Sequence, residues 1–150
     1  MNTATIVSAH DVAAFILEQH GQMSAMKLQK LVYYSQAWSL VWDEAPLFHD
    51  AIEAWANGPV VSNLYRAHRG KFVVSRTDFP AGDPTKLNGT QRDTVFGVLR
   101  FYGDKTPEWL SDLTHAERPW QQARVGLQPG QRGEQTITPE SMYAYYSTLG

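Results

Sequence analysis

The 150-residue chain contains no cysteine. Disulfides, zinc–thiolate centres, iron–sulfur clusters and thiol nucleophiles are therefore excluded. No stretch approaches the roughly 18 consecutive apolar residues that a membrane-spanning helix requires. The first residues, Met1-Asn2-Thr3-Ala4-Thr5, lack the basic start and apolar run of a secretory leader, so a soluble, cytoplasmic protein is expected. Charge is sparse, at 19% of residues, and Lys plus Arg (13) fall short of Asp plus Glu (15), for a net charge of -2. A general nucleic-acid binder carries a positive excess, which is missing here, although a local basic patch remains compatible with these totals.

Catalytic and cofactor motifs are equally scarce. Neither GxGxxG nor GxxxxGK[ST] occurs, and GxSxG and HExxH are also missing. Of the five histidines, His49-Asp50 and His115 with Glu117 come nearest to metal spacing. Adjacent residues of an extended chain point to opposite sides, and residues two apart on a helix diverge by about 200°, so neither pair chelates easily. Acid–base catalysis needs a carboxylate pair or a His–nucleophile pair. No spacing here supplies one, and the expectation is a non-enzyme with no metal and no cofactor.

What is present is apolar and aromatic. Hydrophobic residues make up 43% of the chain, and five Trp, seven Tyr and six Phe reach 12%. This composition favours a packed core over disorder, and large rings serve cores and interfaces alike.

Helix signals recur along the chain. Ser8 with Asp11 has capping-box spacing, Val12, Phe15, Ile16 and Gln19 follow helical period, and Gly21 supplies a stop. Ser24 caps a second helix over about 25–42. Leu28, Leu31, Val32, Ser35, Trp38 and Trp42 form one of its faces, and Met26, Tyr33, Ala37, Leu40 and Val41 the opposite one. A helix apolar on two sides is surrounded by protein. Between those faces run a narrow basic stripe of Lys27, Lys30 and Tyr34, and a second stripe of Gln29 and Gln36. The basic stripe either pairs internally with Glu53 or Asp50 or faces a partner, and the central position of the helix favours an internal pair.

Residues 52–56 alternate as a short strand before the Asn57-Gly58-Pro59 break. Pro59 is expected at the first turn of a helix to about His68, ended by Gly70. Residues 71–75 and Gln135-Thr136-Ile137 are further short strand candidates. Asn88 with Gln91, Thr106-Pro107-Glu108, Thr114 with Glu117 ahead of Pro119, and Thr138-Pro139-Glu140 each mark a helix start. Residues 126–133 read as a mobile loop. The expected fold is one mainly α domain over 1–150. It is a compact bundle of six or seven helices around the central helix, with a small two- or three-stranded β element.

The opposed positions Ala54 and Ala56 would point inward on the short strand, leaving Trp55 and Glu53 outward. Trp55 beside Tyr65, Arg66 and Arg69 would then make an anchor cluster, since Trp, Tyr and Arg lead in binding energetics. The residues alone leave open whether Trp55 is buried. Arg66, His68, Arg69 and Lys71, with Arg76 soon after, also concentrate charge at one helix end, where the macrodipole favours cations without any nucleic acid.

Residues 27–38, Lys-Leu-Gln-Lys-Leu-Val-Tyr-Tyr-Ser-Gln-Ala-Trp, resemble the first signature of the Panacea antitoxin domain, the SocA-like family once described as phage-associated proteins. Pro46-Leu47-Phe48, Glu53 to Val61 and Leu64-Tyr65-Arg66 resemble the second, and Leu110 to Trp120 the third. Leu28, Leu31, Trp38, Gly58, Pro59, Thr114, Glu117, Pro119 and Trp120 are its structural motif positions, with Leu28, Leu31, Trp38 and Pro59 read as core from their periodicity. The resemblance spans most of the chain and leaves little room for the extra N-terminal domain that some members carry. It implies an antitoxin that neutralises a toxin encoded by a neighbouring gene through direct protein contact. The family pairs one domain type with chemically unrelated toxins, including nucleotide-modifying enzymes that act on tRNA or make alarmones. A protease adaptor that delivers the toxin for degradation is the alternative, since one member works so, and an operon-binding regulator is a further one. The residues that would meet the partner are Trp55, Tyr65, Arg66, Arg69, Lys27, Lys30 and Tyr34.

Overall fold

The computed structural model describes residues 6–150. The reading of Met1–Thr5 as free of a secretory leader lies outside the described residues. Ser8 and Asp11 close the expected capping box and start α1 (Ala9–His20), which is buried along its first two thirds and stops at Gly21 in a left-handed conformation (φ 92°). Met23–Ser24 (β1) leads into α2 (Ala25–Trp42), where the Ser24 hydroxyl accepts from the Lys27 amide. A hairpin follows, with β2 (Ile52–Trp55) and β3 (Gly58–Val61), then α3 (Ser62–His68) and β4 (Val73–Val74). The rest comprises α4 (Gly89–Tyr102), α5 (Pro107–Ala116), α6 (Arg118–Ala123), β5 (Thr136–Ile137) and α7 (Pro139–Tyr146). Seven helices among the described residues make the molecule mainly α, and the β element is split into two sheets. β3, β2 and β5 form an antiparallel sheet in that order, and β1 pairs with β4.

α2 is the axis. It packs against α1, α4, α5, α7 and β3, and every residue from Leu28 to Leu40 is buried. Leu28, Leu31 and Trp38 lie in the core as their period predicts, with Tyr33, Tyr34 and Phe48 among its largest fully buried side chains. Because the helix is covered all round, its polar side chains need partners in other elements. Gln36 bonds the chain that follows the helix: Nε2 donates to the Phe48 carbonyl (2.8 Å), while Oε1 accepts from the amides of Leu47 (2.7 Å) and Phe48 (3.3 Å). Gln29 does the same for β3, accepting from the Val61 amide (2.9 Å) and donating to its carbonyl (3.3 Å). Each glutamine amide thus mimics a strand neighbour on a side of the backbone that has none.

Two expectations are corrected. Pro59 does not start a helix; it belongs to β3, and the helix begins only at Ser62. β3 is the outer strand of its sheet, where a residue without an N–H leaves no ladder bond unmade, and the Pro59 carbonyl turns instead towards Lys30 (Nζ–O 3.3 Å). Thr114 and Glu117 do not form a capping box. Thr114 sits inside α5 with its hydroxyl donating to the Ser111 carbonyl (2.8 Å), and Glu117 precedes α6 without a side-chain cap. The Glu117 carboxylate is drawn into the core instead.

Replacing Gln36 by Leu keeps the volume but strands two buried amides and a carbonyl. Urea denaturation is expected to show a loss of roughly 3 kcal/mol or more, against under about 1 kcal/mol if the loop relaxed onto water.

Candidate functional site

The site begins at the tip of the hairpin. Ala56 and Asn57 make the turn, and Gly58 leaves it at φ 119°, a conformation that side chains rarely adopt. A Cβ on Gly58 would stand 2.7 Å from Lys30 Cε and 3.0 Å from Lys30 Nζ, so the tip rests on the lysine. From the other side, α5 and α6 hold four successive carbonyls. Arg124 Nη1 donates to Ala54 (2.9 Å), Trp120 Nε1 to Trp55 (2.8 Å) and Ser111 Oγ to Asn57 (3.2 Å), and a His115 ring nitrogen meets Ala56 (3.0 Å). Arg124, itself buried, also donates to the carbonyls of Gln128 and Gln131, and so ties the 126–134 loop to the hairpin.

This scaffold presents Trp55. As strand alternation predicts, Ile52 and Ala54 are buried while Glu53 and Trp55 are half-buried; Ala56, expected to point inward, instead lies in the turn beyond the strand and is half-buried. Trp55 Nε1 donates to Glu53 Oε1 (2.8 Å), and its ring meets Tyr65 edge-on, with centroids 4.8 Å apart. Trp55, Tyr65 and Arg69 line a cavity of about 510 Å³, closed on its far side by Arg132 and Glu134 of the loop. An adjoining cavity of about 480 Å³ shares Trp55 and Tyr65 and adds Met26, Lys30, His68 and Phe72. Beside it Phe72 is 81% exposed, a large ring in water next to a groove.

The residues expected to meet a partner therefore separate. Trp55, Tyr65 and Arg69 come together. Arg66 is exposed outside the cavity wall, with its guanidinium donating to Asn63 Oδ1 (3.3 Å). Lys30 is 1% exposed beneath the hairpin tip, and it contributes only to the inner wall of the second cavity. Neither expected acid pairs with it. Asp50 accepts from the Ala9 amide (3.0 Å) and from Asn63 Nδ2 (3.2 Å), and Glu53 is taken by Trp55. Lys27 is half-buried in the field of Asp104. Tyr34 is buried and donates to Glu117 Oε1 (2.8 Å), so it offers nothing to a surface. The basic stripe is thus no stripe: its three members face three different environments. The charge at the end of α3 is also partly spent, since Lys71 pairs with Asp78 (2.5 Å) and Arg76 with Glu18 (3.1 Å). His68 is buried, where desolvation lowers its pKa. Its Nε2 accepts from Gln29 Nε2 (2.9 Å).

Glu117 is the residue that sequence reasoning misplaced most. It is 4% exposed, and Oε1 accepts from both Tyr34 and Tyr146 (2.7 Å), with Tyr146 in turn hydrogen-bonded to Tyr33 (2.9 Å). Burial raises its pKa, opposed by the two hydroxyl donors. It forms part of the wall of a second groove of about 550 Å³, lined by Trp38, Trp42, Phe101, Tyr102 and Trp109. Trp42 and Trp109 are 50% and 41% exposed, so this groove too brings aromatic rings to the surface. The hint of this second groove lies in α4, where Phe101 falls off the Val95-Val98-Tyr102 face.

No helix among the described residues is long and apolar enough to cross a membrane. A family model described as antitoxin SocA-like, Panacea domain, matches residues 28–121, close to the 27–120 span of the three signatures. Comparison with curated proteins and with solved structures returns no match.

Because its folded pKa is raised, Glu117 binds a proton in the folded chain that the unfolded chain has already released. Its contribution to stability therefore rises as pH falls through the raised value and is complete below the usual 4.5. Glu117→Gln, whose carbonyl still accepts both hydroxyls, is expected to be at least as stable as wild type at neutral pH. That difference should shrink as pH falls towards 4.5. Glu117→Ala is expected to lose roughly 2–4 kcal/mol at neutral pH by stranding the Tyr34 hydroxyl and taking from Tyr146 one of its two hydrogen bonds. Urea titrations of the three proteins at stepped pH check both.

Proposed function

Since the chain belongs to the SocA-like, Panacea-domain antitoxin family, we propose that it neutralises a toxin encoded by a neighbouring gene through direct contact in the cytoplasm. The described residues act as one binding domain, and no bond of the partner is broken. The surface we assign to the contact is the Trp55–Tyr65–Arg69 cavity and its rim. One observation carries this choice: the hairpin that bears Trp55 is fixed by bonds to its carbonyls from Ser111, Trp120 and Arg124, with the His115 ring against a fourth, and by Lys30 from beneath. A tryptophan held this firmly loses little freedom on binding, which is the condition under which a single ring anchors an interface. Arg69 and Arg66 add cations at the rim, where they favour encounter with an acidic partner surface more than final affinity.

The toxin's own chemistry is not constrained by this surface, in keeping with a domain that works by covering.

Co-expression with the product of the adjacent gene tests the reading. Growth arrest by that product alone and rescue by the wild-type chain are expected. Trp55→Ala should weaken binding by about thirtyfold or more and abolish rescue, with unfolding by urea little changed. Failure of the purified wild-type chain to bind the product would contradict the reading.

A further inference from the structure

A buried ammonium group is costly unless it is paired, because water is lost and must be replaced by acceptors or a counter-charge. Lys30 meets this condition poorly. It is 1% exposed, its Nζ has three N–H groups, and among the described residues its only hydrogen bond is to the Pro59 carbonyl at 3.3 Å. None of the ion pairs among the described residues includes it. Desolvation lowers its pKa to about 8, which leaves the amine charged at neutral pH.

The fold is nevertheless shaped around this group. Gly58 at φ 119° leaves no Cβ where Nζ and Cε lie. Gln29, one residue earlier on α2, bonds the Val61 backbone from the same side. Lys30 also forms part of the wall of the cavity shared by Trp55, Tyr65 and His68. The nearby acids are already engaged: Glu53 by Trp55, and Asp78 by Lys71. The neighbourhood therefore holds a buried positive charge, hydrogen-bonding capacity to spare, and an open groove with no anion of its own.

We propose that the groove between Trp55, Tyr65 and Phe72 receives a carboxylate side chain of the protein partner, an Asp or Glu whose counter-charge is Lys30. A carboxylate suits the site better than a phosphate. The walls are mostly rings and apolar side chains, and of the two lysines that line them Lys71 is already paired with Asp78, which leaves one ammonium, too few for three phosphate oxygens. Trp55 and Tyr65 would flank the stem of the acid, and the interaction would form in a water-poor pocket where a charge pair is strong. The inference rests on the antitoxin reading for the partner's identity alone; the anion site follows from Lys30 and its surroundings.

Lys30→Met separates a binding role from a structural one, since a buried charge replaced by an apolar isostere is usually neutral or stabilising. The expected result is a melting temperature equal to or above wild type, together with an affinity for the adjacent gene product lowered about thirtyfold or more. Binding within about threefold of wild type, or a melting temperature several degrees lower, would overturn the proposal. NMR of the Lys30 Cε and Nζ signals in the wild-type chain decides the matter even where the variant fails to fold. Addition of the gene product should shift them and slow exchange of the Nζ protons, and unmoved signals would overturn the proposal. If the wild-type chain does not bind that product, the antitoxin reading fails. The anion site is then tested with acetyl-glutamate amide at millimolar concentration, which should shift the same two signals; no shift would refute it.

Discussion

The structure depends on the complete burial of one helix. Covering α2 on all sides buries apolar side chains from two faces at once, and it also traps Gln29, Lys30, Tyr34 and Gln36 in the interior. Each must be satisfied by something other than water, and together they reach three different parts of the chain. Gln36 takes the loop before β2, Gln29 and Lys30 take β3, and Tyr34 takes the carboxylate between α5 and α6. The polar groups of one helix thus fix the positions of nearly everything packed around it. Apolar contact alone would have left those positions free to slide.

The three sequence signatures are then three parts of one bonded assembly. The first supplies Gln29 and Lys30 to the second, and the second offers its carbonyls to Ser111, His115 and Trp120 of the third and to Arg124 just beyond it. The third returns Glu117 to Tyr34 of the first. Conformational precision accumulates at the hairpin, where all these bonds converge, and the hairpin carries the half-buried tryptophan. A binding surface made this way pays its ordering cost during folding, and little is left to pay on association.

Much of this was readable beforehand, for identifiable reasons. The limits of α2 followed from Ser24 and from two apolar faces in register, and those local signals agree with the tertiary outcome. The alternation around Trp55 was legible for the same reason. Pro59 was misread because proline at a helix start and proline in an outer strand look alike until the strand's partners are known. Thr114 and Glu117 have the spacing of a cap, but a carboxylate near two buried hydroxyls gains more by accepting from them. A helical wheel placed Lys27, Lys30 and Tyr34 side by side. It has no knowledge of the hairpin that covers Lys30, nor of the acid that claims Tyr34. Signals along one helix report its own faces, and the identity of the covering element is long-range information.

Two aromatic grooves reach the surface, and the account assigns the partner to the one built around Trp55. Oxidative side-chain footprinting of the chain alone and in complex with the product of the adjacent gene distinguishes them in a single measurement. Protection of Trp55, Tyr65 and Met26, with Trp42 and Trp109 reacting as in the free chain, is the outcome this account requires. Protection centred on Trp42 and Trp109, with Trp55 still reactive in a stable complex, would contradict it.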